Sequence, residues 1–156
     1  MNRHLSRVIA MQTLYEWDFR PQADISEIKK RNIENYHEDA DKNFINQTIA
    51  DTIKNLKTID AEIIKAAPEW PLEQIAGIDK TILRIAICEI LSNDDVPPKV
   101  AINEAVELGK TFGGQNSSKF INGVLGTVYR HSPKYNPQED KKLAKVKEKA
   151  TDDQQQ

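Results

Sequence analysis

The chain has 156 residues, with 22 lysines and arginines against 24 aspartates and glutamates, a formal net charge of −2 and one cysteine. That length fits one domain with a sizeable core, and the near-balance of charge excludes a protein that coats nucleic acid by bulk charge, so any such contact is a local patch. A lone cysteine excludes an intrachain disulfide, and no apolar run approaches the roughly 18 residues of a membrane helix, so a soluble, cytoplasmic protein without membrane contact is expected.

Helical periodicity runs through most of the chain and no segment alternates long enough for a strand, so the fold is expected to be all-α. Leu5, Val8, Ile9, Met11, Leu14, Tyr15 and Phe19 recur at helical spacing, which predicts an amphipathic helix over 3–19 ended by Pro21. A short helix is expected over about 25–35. Asp41 caps a third helix that buries Phe44, Ile45, Thr48, Ile49, Ile53 and Leu56. A fourth starts at Thr58 or Asp60 and stops at Pro68 and Pro71, with Trp70 between them as a core plug. The segment 78–91 is apolar nearly all round and reads as the central helix, with Asp79 as its cap. Ser92 to Pro98 is a cluster of turn formers whose prolines preset the first turn of the next helix. That helix ends at Gly113 or Gly114, and a last one carries Phe120, Ile121, Val124, Leu125 and Val128 on one side. About seven helices make up a domain over 1–131. Residues 132–156, rich in lysine and glutamate and without an apolar face, read as a flexible charged tail.

Several motifs reduce to ordinary structure. Gly109-Lys110-Thr111 resembles part of a phosphate-binding loop, but Glu104 stands where that motif needs its first glycine and the preceding segment is helical. His4, His37 and His131 are far apart and lack paired ligand spacing, so neither a metal nor any other cofactor is expected. No catalytic constellation emerges, and the chain is not expected to be an enzyme.

The remaining signal is basic and local. No acidic residue occurs from Lys110 through His131. Asn116, Ser117 and Ser118 open the last helix, where free backbone N–H groups and the helix dipole form an anion site beside Lys119. The first helix offers Arg3, His4, Arg7 and Arg20, with Gln12 and Tyr15 further along. If the terminal helices pack together, the two features become one surface for RNA phosphates. Gly123 and Gly126 lie inside the last helix at up to about 1 kcal/mol each against alanine; close helix packing is the favoured reason, close approach of a ligand backbone the alternative.

Four blocks together resemble the NusB family of bacterial transcription antitermination factors: RVIAMQTLYEW over 7–17; Ile78 to Ala86 with Glu89-Ile90-Leu91; Val96-Pro97 with the run from Ala101 to Lys110; and Lys119 to Leu125. The resemblance covers about residues 3–130. It implies a non-enzymatic bundle of about seven helices in two subdomains. Family members pair with a small-subunit ribosomal protein, NusE in this role. The pair binds the boxA element of single-stranded nascent ribosomal RNA leaders, and the transcribing RNA polymerase complex with other Nus factors then resists termination. The resemblance implies that Arg3, His4 and Arg7 form the RNA-binding N-terminal segment, with Gln12 and Tyr15 as additional contacts and Asn116 to Lys119 completing the surface. It also implies that Glu89, and Arg84 unless it forms an internal ion pair, face the protein partner. His4 and Leu5 stand at positions often basic in the family, and Gly126 where many relatives have aspartate. The competing reading is a protein-interaction module or homodimer without direct RNA binding. An RNA-binding accessory domain of a methyltransferase is disfavoured, because no catalytic domain follows the tail.

Overall fold

A computed structural model describes residues 2–36 and 39–139. Among them are seven α-helices: α1 (Arg3–Phe19), α2 (Ile25–Tyr36), α3 (Lys42–Lys54), α4 (Leu56–Ala66), α5 (Gly77–Ser92), α6 (Pro98–Phe112) and α7 (Ser117–Arg130), with a 3-10 turn at Leu72–Gln74 between α4 and α5. The all-α expectation holds. The one β-type contact among the described residues is an isolated bridge between Asn2 and Ala40.

The apolar patterns dictate the packing. Residues 81–90 of α5 are all buried, so this helix needs partners on every side. It finds them in α1, α3, α4, α6 and α7. On one side α1 packs with α2 and α3; on the other α7 packs with α6 and α4. Cys88 is buried in this core, and burial pushes its thiol up.

Helix starts follow local chemistry in some places and not in others. The Asn2 side chain accepts the Leu5 N–H at 2.9 Å and caps α1, and Asp41 accepts the Phe44 N–H at 3.1 Å and caps α3 as expected. The two starts are tied together: the Ser6 hydroxyl donates to the Asn2 carbonyl and accepts the Asp41 N–H at 2.8 Å. Pro98 opens α6. The expected caps of α4 and α5 are displaced. α4 begins at Leu56, directly after the Asn55 that closes α3, so Asp60 falls inside the helix. α5 begins at Gly77, two residues before Asp79, which is buried in the first turn.

Trp70 is a second correction. It is 53% exposed and meets Phe120 edge-on at 6.4 Å, beside the core instead of in it. At the other end of α7 the chain continues to pack past residue 131: Tyr135 lies edge-on to Tyr129 at 5.5 Å, the Asn136 N–H donates to the Tyr129 hydroxyl at 3.0 Å, and Lys134 Nζ donates to the Asn93 carbonyl. Residues 140–156, which hold most of the expected tail, lie outside the described residues.

Candidate nucleic-acid interface

The N-terminal arginines separate by depth. Arg3, in the first turn of α1, keeps its side chain 51% exposed; its Nε stands 3.1 Å from Asp41 Oδ2 and its guanidinium carbon lies 4.4 Å from the Phe44 ring centroid. The Phe44 N–H, donating to the Asp41 cap of α3, holds the Asp41 carboxyl below its ordinary range, with Arg3 adding to the effect. His4 is equally exposed and its Nδ1 sits 3.0 Å from Glu104 Oε2 on α6.

Arg7 is inside. One turn after Arg3, it is 4% exposed, and its Nη2 and Nε donate to Glu89 Oε1 at 2.9 and 3.1 Å. Glu89 is 4% exposed as well. Burial pushes its carboxyl up, and the Arg7 guanidinium counteracts this only in part. Removing one partner of such a pair leaves an uncompensated interior charge, which costs about 3–5 kcal/mol. The expectation that Arg7 faces RNA and Glu89 faces a protein partner is therefore corrected: the two residues face each other, and together they lock α1 to α5.

Arg84 takes the internal alternative. Its Nε and Nη2 donate to the two Asp60 oxygens at 2.9 Å each and its Nη1 to Asp18 Oδ1 at 3.0 Å, while Lys80 Nζ stands 3.1 Å from Asp18 Oδ2. For Asp18, burial works upward, but the hydrogen bonds and charges of Arg84 and Lys80 outweigh it and hold the carboxyl low. The cluster joins α1, α4 and α5 and offers no exposed arginine to a partner.

At the start of α7, Asn116 is exposed at the N-cap position, yet its side chain makes no capping hydrogen bond. Ser117 is buried and its hydroxyl accepts the Gly114 N–H at 2.8 Å, tying the hinge instead of facing outward. Ser118 is half-buried and Lys119 exposed. Ser117 N–H bonds the Gly114 carbonyl and Phe120 N–H the Asn116 carbonyl. Between them the N–H groups of Ser118 and Lys119 find no acceptor among the described residues, which is the arrangement of an anion site at a helix N-terminus.

The two halves of the surface are joined differently from the expectation. α1 and α7 do not pack as a pair; both pack against α5, and α6 packs against α5 and α7. Side chains of α6 reach α1 all the same: Glu104 meets His4, and Phe112 at the end of α6 lines one groove with Met11, Gln12 and Tyr15, directly before the chain enters the hinge to Asn116. Gly109 permits the α6–α7 contact: a Cβ there would lie 2.8 Å from Ile121 Cδ1 and 3.4 Å from the Ser118 backbone. This packing role, and not a phosphate loop, accounts for the Gly109-Lys110-Thr111 triplet. Gly123 and Gly126 depart from the packing expectation. A Cβ at Gly123 meets nothing within 4 Å beyond its own helix, and the atoms nearest one at Gly126 belong to the Arg130 guanidinium.

Sequence reasoning missed Phe44, Glu104 and Phe112 as parts of this region. Their roles depend on contacts across 41, 100 and about 100 positions of chain, which no local pattern reports. Among the described residues no group of three or more histidine, cysteine or carboxylate side chains is placed to hold a metal ion, and no helix is long and apolar enough to cross a membrane.

Comparison with known proteins places this geometry. Residues 4–130 match the model of the NusB family. The transcription antitermination protein NusB of Dehalococcoides mccartyi (strain CBDB1) is 42% identical over 127 residues, covering 81% of this chain and 89% of the relative. The structure of T. maritima NusB superposes with a TM-score of 0.78 at 28% identity over 91% of this chain and 98% of its own. A chain from the crystal structure of antitermination factors NusB and NusE in complex with dsRNA shares the fold, with a TM-score of 0.75 at 22% identity, over 83% of this chain and 97% of that one.

Proposed function

Because the chain belongs to the NusB family, we propose that it is a transcription antitermination factor. Paired with the small-subunit ribosomal protein NusE, it binds boxA-type single-stranded RNA in nascent ribosomal RNA leaders, and the transcribing polymerase complex with the other Nus factors then passes termination sites. It is not an enzyme, as the family is not.

The observation that carries the RNA reading is the start of α7. Two unsatisfied N–H groups, at Ser118 and Lys119, stand beside an exposed lysine within a stretch, Lys110 to His131, that has no acidic residue. Arg3 and His4 extend the surface along α1, while Gln12 and Tyr15 carry it toward the end of α6. Arg7 and Ser117 act from beneath, by fixing α1 and the hinge. Glu89 and Arg84 likewise serve the partner through the helices they hold together. The like-folded assembly of NusB and NusE with double-stranded RNA supports pairing with both kinds of partner.

A titration of boxA-type single-stranded RNA with the chain alone, then with the ribosomal protein present, tests this. Binding that tightens in the presence of the ribosomal protein is expected; no binding in either condition contradicts the reading.

A further inference from the structure

We propose that the His4–Glu104 pair couples RNA binding to the uptake of a proton, with Glu104 of α6 as the positioning residue that turns the free nitrogen of His4 toward a phosphate. This deepens the RNA reading above, on which it rests, by naming how one contact is made and what condition controls it.

The geometry leaves the ring one arrangement. A carboxylate only accepts hydrogen bonds, so the nitrogen that faces it, Nδ1 at 3.0 Å from Glu104 Oε2, carries a proton. A neutral imidazole has a single N–H. With that N–H engaged by Glu104, Nε2 presents a lone pair, which a phosphate oxygen cannot use. Nε2 has no hydrogen-bond partner among the described residues, and the side chain is half in water, so this nitrogen is open to a ligand. Only the imidazolium donates from both nitrogens, holding Glu104 with one N–H and reaching a phosphate with the other. A lysine or arginine at this position would carry its charge throughout the neutral range; a histidine makes the contact conditional on pH.

The charges around the pair act in the same direction. They are Glu104 from α6, Arg3 and Arg7 from the same helix as His4, Asp41 before α3 and Glu89 from α5. Arg3 is matched by Asp41 at 3.1 Å and Arg7 by Glu89 at 2.9 Å, whereas Arg7 Nη1 comes only within 3.9 Å of Glu104. Glu104 is therefore the carboxylate of the group that depends on His4 for a close counter-charge. Beside a neutral imidazole it adds negative charge next to the Arg3 surface, where phosphates must approach; a proton on His4 cancels it. An arriving phosphate is a second anion at the ring, so RNA and Glu104 both favour the charged form. An exposed ion pair adds little to stability, so the consequence of this one lies in the ring that it orients.

The test titrates the full chain, with the ribosomal protein present, with boxA-type single-stranded RNA at fixed ionic strength from about pH 5.5 to 8.5. Wild-type affinity should fall about tenfold as pH rises across that range, and calorimetry in two buffers of different ionisation enthalpy should show proton uptake on binding near neutral pH. His4→Lys should keep the affinity that wild type has at the acid end and lose both the pH dependence and the proton uptake. Glu104→Gln should move the midpoint of the pH profile downward, which a merely structural role would not do. Melting curves confirm that the variants fold. RNA binding that is independent of pH, or a pH profile that His4→Lys leaves unchanged, overturns the proton coupling while the RNA reading stands. A midpoint that Glu104→Gln does not move overturns the role of Glu104. Absence of RNA binding at every pH overturns the functional reading and the coupling with it.

Discussion

Arg3 and Arg7 are the same residue type one turn apart on the same helix, both within cation–π distance of the same Phe44 ring. They nonetheless do opposite work. Arg3 lies at the rim, half in water, against an Asp41 that is already satisfied by a helix N–H. Arg7 is sealed between α1 and α5 with Glu89 as its closest carboxylate. The difference teaches that a basic cluster in a sequence is not a count of available charges. Four residues of helix rotate a side chain by little but move it along the axis, and here the entry of α1 into the bundle is enough to turn a solvent-facing guanidinium into a core one.

The contrast breaks most visibly under substitution. Glu89→Lys places a second cation beside Arg7 in the interior, and Arg7→Ala strands Glu89; each should lower the free energy of unfolding by about 3–5 kcal/mol in a urea titration. Arg3→Ala, at an exposed pair, should change it by less than about 1 kcal/mol. Equal effects of Arg3 and Arg7 would erase the distinction.

Acid should sharpen the comparison, because the two carboxylate partners are shifted in opposite directions. Asp41 sits below its ordinary 3.8 in the folded protein, so its stabilisation is present above that value and is lost as pH falls toward the folded pKa. Glu89 sits above its ordinary 4.5, so its contribution is fullest below 4.5 and declines as pH rises through the folded pKa. The stability difference between wild type and Asp41→Asn should accordingly shrink as pH drops below about 4, whereas that between wild type and Glu89→Gln should move against Gln on acidification. Urea midpoints across pH 3–7 check both signs.

The smallest effect concerns the α7 side of the surface. Gly123 faces open space, so Gly123→Ala should stabilise the fold by about 0.5–1 kcal/mol through helix propensity alone. If RNA affinity falls while stability rises, the glycine is kept for close approach of the ligand.

Much of the frame was legible because its signals are local. The α1 pattern ends at Pro21, Asp41 caps α3 within three residues, and Pro98 opens α6; each is decided by neighbours in sequence. Trp70 and Asp79 misled for a related reason: proline-flanked aromatics and acidic residues near helix starts have strong local readings, but Trp70 stays half in water beside Phe120 and α5 starts two residues before Asp79. The candidate site was legible only in part. Arg3, His4 and Lys119 are exposed as expected, but whether Arg7 faces water depends on Glu89, 82 positions away, and the bridge from α1 to α7 runs through α6 by contacts of Glu104 and Phe112 that no periodicity encodes.

The central claim is that the exposed cations of the first turns of α1 and α7, and not the buried arginine, meet RNA phosphates. The dependence of single-stranded RNA affinity on salt, measured for wild type and for the Arg3→Ala, Lys119→Ala double variant in the presence of the ribosomal protein, tests it most directly. Loss of two phosphate contacts should reduce the slope of log affinity against log salt by about 1.4 with the fold intact. An unchanged slope in a folded double variant contradicts the claim.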